Sequence, residues 1–226
     1  MNVGRLAGLA VAGLLPLSIT GVAQASPPVS PSVQWGACER TGLPVIPGTE
    51  CGRLSVPVDW SRPSGGTVAL RVFRLKAANS EGTILNFPSG PGQTGDLSFA
   101  TLRDALPRYD LIALDPRGVG ESSPMTCATA PAVKIPYVPP TDSPAFDALA
   151  ANQQDFWRSC TTGVPGLDSR LDAYTNARDA DALRTALGLK KINIHGFSYG
   201  TLTAERYLAR YGHHVNGSLL EGVMNP

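Results

Sequence analysis

Neither sign of charge prevails in this chain of 226 residues: 19 Lys+Arg stand against 18 Asp+Glu, a formal net charge of +1. Nucleic acids and acidic membranes are met through an excess of Lys and Arg, so the balance excludes an electrostatic footprint for either. Histidine is scarce, with three residues in all, and the four cysteines form no C-x-x-C pair. His195, His213 and His214 lie far along the chain from Cys38, Cys51, Cys127 and Cys160, so the spacing gives no zinc set. No metal or other cofactor is expected. A full membrane span of about 20 apolar residues is also missing. The nearest approach is the uncharged stretch Leu6 to Val22, which contains Pro16.

That stretch has another reading. Arg5 precedes it and Ala23-Gln24-Ala25 follows as a small-x-small cleavage signal, the pattern of a signal peptide over residues 1–25. Export is therefore expected, with no stable membrane anchor. No cysteine stands at the cleavage point to carry a lipid. An oxidising destination makes disulfides of the four cysteines. Spacing alone leaves three connectivities open; pairing Cys38 with Cys51 and Cys127 with Cys160 closes the shortest loops and is the expected one.

What remains is a chain able to bury a core. It is 42% hydrophobic and 16% charged, which separates it from disordered sequences. With 24 Gly and 20 Pro it is also rich in turns. Residues 26–50 read as an extended leader. Beyond them, Val68 to Leu75 alternates like a strand near a sheet edge. Thr83 to Phe87 and Leu111 to Leu114 are short apolar runs ending in Gly/Pro-rich turns, as buried strands do; Ile192 to His195 and Gly217 to Leu220 repeat the pattern. Tyr174, Ala177, Ala180, Leu183 and Leu187 recur at helical spacing before Gly188, and Phe146, Leu149, Phe156 and Cys160 give a second helical stripe. Strands alternating with helices argue an α/β fold with a mostly parallel sheet.

Three turns carry the chemistry. Gly196-Phe197-Ser198-Tyr199-Gly200 follows a strand and precedes a helical stretch, Thr201 to Tyr211. A serine on such a strand-to-helix turn holds its hydroxyl out at the carboxyl end of the sheet, and small flanking residues permit the turn. Ser198 is the candidate nucleophile, and the Tyr199 backbone N–H is a candidate donor to a developing oxyanion. Phe87 to Gly95 also follows a strand, and the N–H groups of Ser89 and Gly90 could complete the oxyanion hole. A phosphate-cradling loop would need Gly-Lys-Ser/Thr where this chain has Gly95-Asp96-Leu97. In the third turn, Asp115 to Ser122, the pair Asp115 and Arg117 reads as structural, buttressing the site through internal hydrogen bonds.

Taken in order, these segments resemble the secreted α/β-hydrolases of the tripeptidyl aminopeptidase and proline iminopeptidase group known from actinobacteria. The resemblance rests on Cys51-Gly-Arg-Leu-Ser-Val-Pro-Val-Asp-Trp60, the Pro88-x-Gly-Pro-Gly92 loop, Asp115-Pro-Arg-Gly-Val-Gly120 and Arg178-Asp-Ala-Asp-Ala-Leu-Arg184. It continues through Gly196-Phe-Ser-Tyr-Gly-Thr201 and Leu220-Glu-Gly-Val-Met-Asn-Pro226. The chain departs from the group at Phe87 and Ser89, where an asparagine and a glycine are usual, and at Glu221, where aspartate is usual. The resemblance implies an α/β-hydrolase fold and a Ser-Asp-His enzyme acting on peptides from the amino end, or on esters. Its triad partners follow the serine in the order acid, histidine.

After Ser198 come Glu205, Glu221, His213 and His214. If Thr201 to Tyr211 is helical, its far end lies about 16 Å below the serine, and neither histidine reaches the nucleophile. His195 is expected to be packed rather than catalytic. Glu221 falls near the end of the last strand, with no histidine after it to orient. The expectation is thus the amino-terminal part of such a hydrolase, 51–226, ending after about the sixth strand and inactive alone. Two alternatives stand beside it: half of an enzyme complemented by a carboxyl-terminal polypeptide, and a non-catalytic secreted binding module on the same fold.

Overall fold

A computed structural model of the chain describes Met1, residues 32–36, Cys38, 45–129, Pro136 and 138–225. The expected signal peptide and its cleavage point lie outside the described residues apart from Met1. Seven strands form one sheet: β1 (Val33–Gly36), β2 (Thr49–Pro57), β3 (Thr67–Leu75), β4 (Thr83–Phe87), β5 (Asp110–Leu114), β6 (Ile192–Phe197) and β7 (Val215–Glu221). Their spatial order is β1-β2-β3-β5-β4-β6-β7. The first four in that order pair antiparallel, and β5, β4, β6 and β7 run parallel. Helices are α1 (Phe99–Ala105), α2 (Ser143–Arg158), α3 (Ala173–Ala186) and α4 (Gly200–Tyr211).

β4 and β5 are buried on both faces, so their runs are almost wholly apolar, with Asn86 of β4 the buried polar exception. Successive residues point to opposite sides. Leu85, Phe87, Ile112 and Leu114 join Ala177, Ala180 and Leu183 of α3 and Ala204 and Tyr207 of α4 in one core. Ile84, Leu111 and Ala113 join Phe99 and Leu102 of α1 in the other. The helix α3 begins where the Asp172 carboxylate accepts the Thr175 N–H at 2.9 Å, and Gly188 follows it with a left-handed φ of 67°. Chain order reverses around β4: the chain goes first to β5 on one side, then across to β6 on the other. That reversal opens a crevice at the carboxyl ends of the strands, and the turns after β4, β5 and β6 meet there.

One expectation needs correction. β3 lies in the interior, between β2 and β5, and its Leu70, Val72 and Phe73 have no solvent exposure. Its two arginines are accommodated by acidic partners: Arg71 is buried with its Nε 3.5 Å from Glu121, and Arg74 Nε donates to Glu50 at 2.7 Å. The leader contains β1, which pairs with Cys51 to Leu54, and its last two residues already belong to β2. The Phe146 stripe does lie on a helix, but α2 buries none of its residues, and Phe146 and Trp157 are exposed. The disulfides join Cys38 to Cys51 and Cys127 to Cys160, with Cα separations of 4.9 and 4.0 Å. The second closes the excursion that carries α2. Among the described residues no helix is long and apolar enough to cross a membrane.

The turn after β5 is fixed from below. Arg117 and Asp179 form an ion pair whose side chains are both 0% exposed, with Nε–Oδ2 at 2.5 Å and Nη2–Oδ1 at 2.8 Å. The same guanidinium donates to the carbonyls of Val58 and Pro57, and Trp60 Nε1 donates to Asp179 Oδ1 at 2.9 Å. Burial pushes the Asp179 carboxyl upward from its usual pKa, and the Arg117 and Trp60 hydrogen bonds oppose it. Removing one partner leaves an uncompensated buried charge. Asp179→Ala is expected to lower the unfolding free energy by about 3–5 kcal/mol in urea titrations. Asp155→Ala, which frees the exposed Arg158, is expected to change it by less than about 1 kcal/mol.

Candidate active site

The turn from β6 into α4 stands the backbone of Ser198 in the left-handed region, at φ 51°. A non-glycine residue rarely holds that conformation without being clamped. Here the clamp comes from both sides. The Ser198 N–H donates to the Glu221 carbonyl on β7 at 2.8 Å. Its own carbonyl accepts from the N–H of Thr201 at 2.9 Å and from Thr201 Oγ1 at 2.7 Å, and Thr201 Oγ1 in turn accepts the Met224 N–H at 3.0 Å. Ser198 is half-buried.

The flanking glycines have separate reasons. A Cβ on Gly196 would lie 3.1 Å from the Ala204 methyl, so α4 packs close against β6. A Cβ on Gly200 would overlap the carbonyl oxygen of Phe87 outright and lie 2.8 Å from that of Pro88. The start of α4 therefore rests on the backbone where β4 ends and the Ser89 loop begins. This contact brings two of the three sequence motifs together.

The loop from Pro88 to Gly95 is pinned at its far end. Asn86 Nδ2 donates to the Gly95 carbonyl at 2.8 Å, and the Gly95 N–H donates to Asp115 Oδ1 at 2.9 Å. Asp115 is fully buried; its other oxygen accepts the Glu121 N–H at 2.9 Å, and Ser122 Oγ donates to its carbonyl at 2.8 Å. A Cβ on Gly120 would overlap the Asp115 carboxylate, so glycine is required there by contact as well as by its φ of 55°. Asp115 thus holds the loop after β4 to the turn after β5, and Arg117 holds that turn to the body.

Between these turns lies a cavity of about 350 Å³, walled mainly by carbon. Phe87, Ser89, Leu114, Val119, Met125 and Tyr199 are among its lining residues. Ser89 and Tyr199 therefore share one cavity wall; Gly90, at φ 121°, and Ser198 are not among the lining residues. Among the described residues none accepts a hydrogen bond from the backbone N–H of Tyr199, Ser89 or Gly90.

The histidines sit elsewhere. His195 is 3% exposed, with Nδ1 2.7 Å from Asn86 Oδ1 and Nε2 2.9 Å from Glu221 Oε2. His213 and His214 stack on each other in the turn that follows α4, at the opposite end of that helix from Ser198. A 12-residue helix puts about 18 Å between its two ends. No motif signalled Asn86, or the partnerships of Asp179 with Arg117 and of Glu221 with His195. These residues are distant in sequence and meet only through strand order. Among the described residues no three His, Cys, Asp or Glu side chains cluster as metal ligands.

A family model described as the alpha/beta hydrolase fold matches residues 82–225. The chain is 31% identical over 216 residues to the serine protease Hip1 of Mycobacterium tuberculosis, covering 89% of this chain and 41% of that protein. It is 31% identical over 192 residues to the tripeptidyl aminopeptidase of Streptomyces lividans, covering 78% and 36%. It is 30% identical over 220 residues to carboxylesterase B of M. tuberculosis, covering 91% and 42%. The chain spans about two fifths of the length of these relatives.

The contact at Gly200 gives a test of the site's construction. Gly200→Ala forces α4 off the end of β4, and a destabilisation of about 1–3 kcal/mol is expected from overpacking. Gly212→Ala, where a Cβ meets nothing within 4 Å, is expected to be neutral or slightly stabilising. Chemical denaturation of the two variants side by side separates the contact from the general cost of replacing glycine.

Proposed function

The chain belongs to the alpha/beta hydrolase family, and from that premise we propose that it carries the nucleophile part of an exported serine hydrolase acting on peptides, from their amino end, or on esters. In this reading Ser198 Oγ attacks the carbonyl carbon of the substrate. The negative charge that develops on the carbonyl oxygen is met by the N–H of Tyr199 at the start of α4, together with that of Ser89 or Gly90. A histidine takes the serine proton and a carboxylate orients it.

The observation that carries the proposal is the conjunction of a clamped left-handed serine with backbone donors on the abutting loop that no described residue uses. The relatives add support from both substrate classes, since they are named as a serine protease, an aminopeptidase and a carboxylesterase. The carbon-walled cavity beside Tyr199 suits an uncharged apolar group on the substrate. The two disulfides suit an oxidising compartment, in keeping with export.

The general base is the part that the described residues do not supply. Both nitrogens of His195 are engaged, and His213 and His214 lie at the wrong end of α4. Turnover then needs a histidine and an acid from other residues, in a longer polypeptide or on a second one. One feature fits either source. β7 stands last in the sheet, hydrogen-bonded to β6 alone among the described strands, and Asn216 to Leu219 are exposed along it. A parallel strand from either source would cover that edge. A binding module without catalysis would keep the same cavity and leave Ser198 unreactive.

A fluorophosphonate probe with added imidazole separates these readings. The 226-residue chain alone is expected to label slowly at Ser198, and faster as imidazole is added as an external base. Ser198→Ala is expected to abolish the label, located by peptide mass mapping. Rapid labelling without imidazole would contradict the missing base. Absence of any Ser198 adduct at high imidazole would contradict the nucleophile and favour the binding module.

A further inference from the structure

His195 takes no part in the chemistry just described, yet it is buried between the two halves of the site. Its protonation can be read from its partners. Asn86 donates from Nδ2 to the Gly95 carbonyl, which fixes the orientation of the amide. The atom facing His195 Nδ1 is therefore Oδ1, an acceptor, and Nδ1 carries the hydrogen. On the other side of the ring, Nε2 faces an oxygen of the Glu221 side chain. An ionised carboxylate only accepts. A neutral imidazole has one N–H and satisfies one of these acceptors; two bonds to two acceptors require both nitrogens to be protonated.

We infer that His195 is held as an imidazolium between Asn86 and the Glu221 carboxylate, and that this cation fastens the Ser89 loop to the Ser198 turn. The connection is continuous. Gly95, at the end of the loop, is held through its carbonyl by Asn86, and Asn86 is held by His195. His195 is held by the side chain of Glu221, whose main-chain carbonyl accepts the Ser198 N–H. One residue of β7 thus grips the nucleophile with its backbone and the loop, through two intermediaries, with its side chain. His195 and Glu221 are positioning residues: neither is placed against substrate.

The other ionisable groups around the ring are few. β4 presents the neutral Asn86. Tyr109, after α1, borders the same small recess as His195. On the loop side stand Asp96, which is buried, and Asp115, engaged by the Gly95 and Glu121 amides. Glu221 on β7 is the carboxylate in direct contact with the ring. The consequence for catalysis rests on the hydrolytic reading above; the protonation and the coupling do not.

Two measurements on the full chain test this. The first is the ¹⁵N shift of the His195 ring at neutral pH. Both nitrogens are expected to carry protons in the wild type. In Glu221→Gln the new amide can donate to Nε2, and the ring is expected to become neutral with the geometry kept. The second is amide hydrogen exchange. Glu221→Ala is expected to speed exchange of the Gly95 amide, which donates to Asp115, by about tenfold, the loss of one charge-assisted hydrogen bond. Exchange in β2 and β3 should stay unchanged, and Glu221→Asp should restore part of the protection. A neutral His195 ring in the wild type would overturn the imidazolium. Unaltered exchange of the Gly95 amide in Glu221→Ala, with β2 and β3 intact, would overturn the coupling. If Glu221→Ala loosens β2 and β3 as well, the ring state of Glu221→Gln decides. An unreactive Ser198 leaves both readouts standing, so failure of the hydrolytic reading is distinguishable from failure here.

Discussion

The site depends on a guanidinium that has no access to water. Arg117 leaves the end of β5, turns into the protein and spends its donors on Asp179 and on two carbonyls at the end of β2. Three segments distant in sequence converge on it: the close of the antiparallel part of the sheet, the turn after β5, and the middle of α3. A buried charge of this kind tolerates little displacement, because each hydrogen bond lost leaves an unpaired polar group in a medium of low dielectric constant. The turn from Asp115 to Ser122 is consequently rigid, and so is the wall it gives to the cavity.

From that fixed turn the rest of the site is assembled by short backbone contacts. Asp115 takes the Gly95 amide and thereby sets the end of the Ser89 loop. The start of that loop is set by Gly200, whose missing side chain lets α4 rest on the Phe87 carbonyl. The strained serine is clamped between the last strand and the first turn of the helix. None of these contacts is strong in isolation. Together they leave the Ser89 loop fixed at both ends, with its amides directed by backbone geometry rather than by mobile side chains. Preorganised donors of that sort are what stabilisation of an oxyanion requires.

The elements legible in the sequence were those with a local cause. β4, β5, β6 and β7 are visible as apolar runs before Gly/Pro turns, α3 as a periodic stripe, and α4 as the helical stretch after the Ser198 turn. β2 was not read as a strand, and α1 went unseen: with seven residues it is too short to show a period. The alternation of β3 suggests a sheet edge, but the acidic partners of its Arg71 and Arg74, Glu121 and Glu50, lie on other segments and let the strand sit inside the sheet. The helical stripe of α2 was real as a period but had no core to face. The turn around Ser198 could be found from five residues. The role of Glu221 could not, since it arises from β7 lying beside β6.

By itself the sequence determined the fold class, the turn around Ser198 and the two Gly/Pro-rich loops that accompany it. Those features follow from local sterics: left-handed backbone, small flanking residues and apolar runs leave marks within a few neighbouring positions. Only the tertiary structure decided which of those loops touch, that Arg117 is answered by Asp179, and that His195 stands between Asn86 and Glu221. These are meetings of residues 26 to 109 positions apart. They are set by the order in which the strands hydrogen-bond, a choice made by the burial of the whole sheet rather than by any short segment of it.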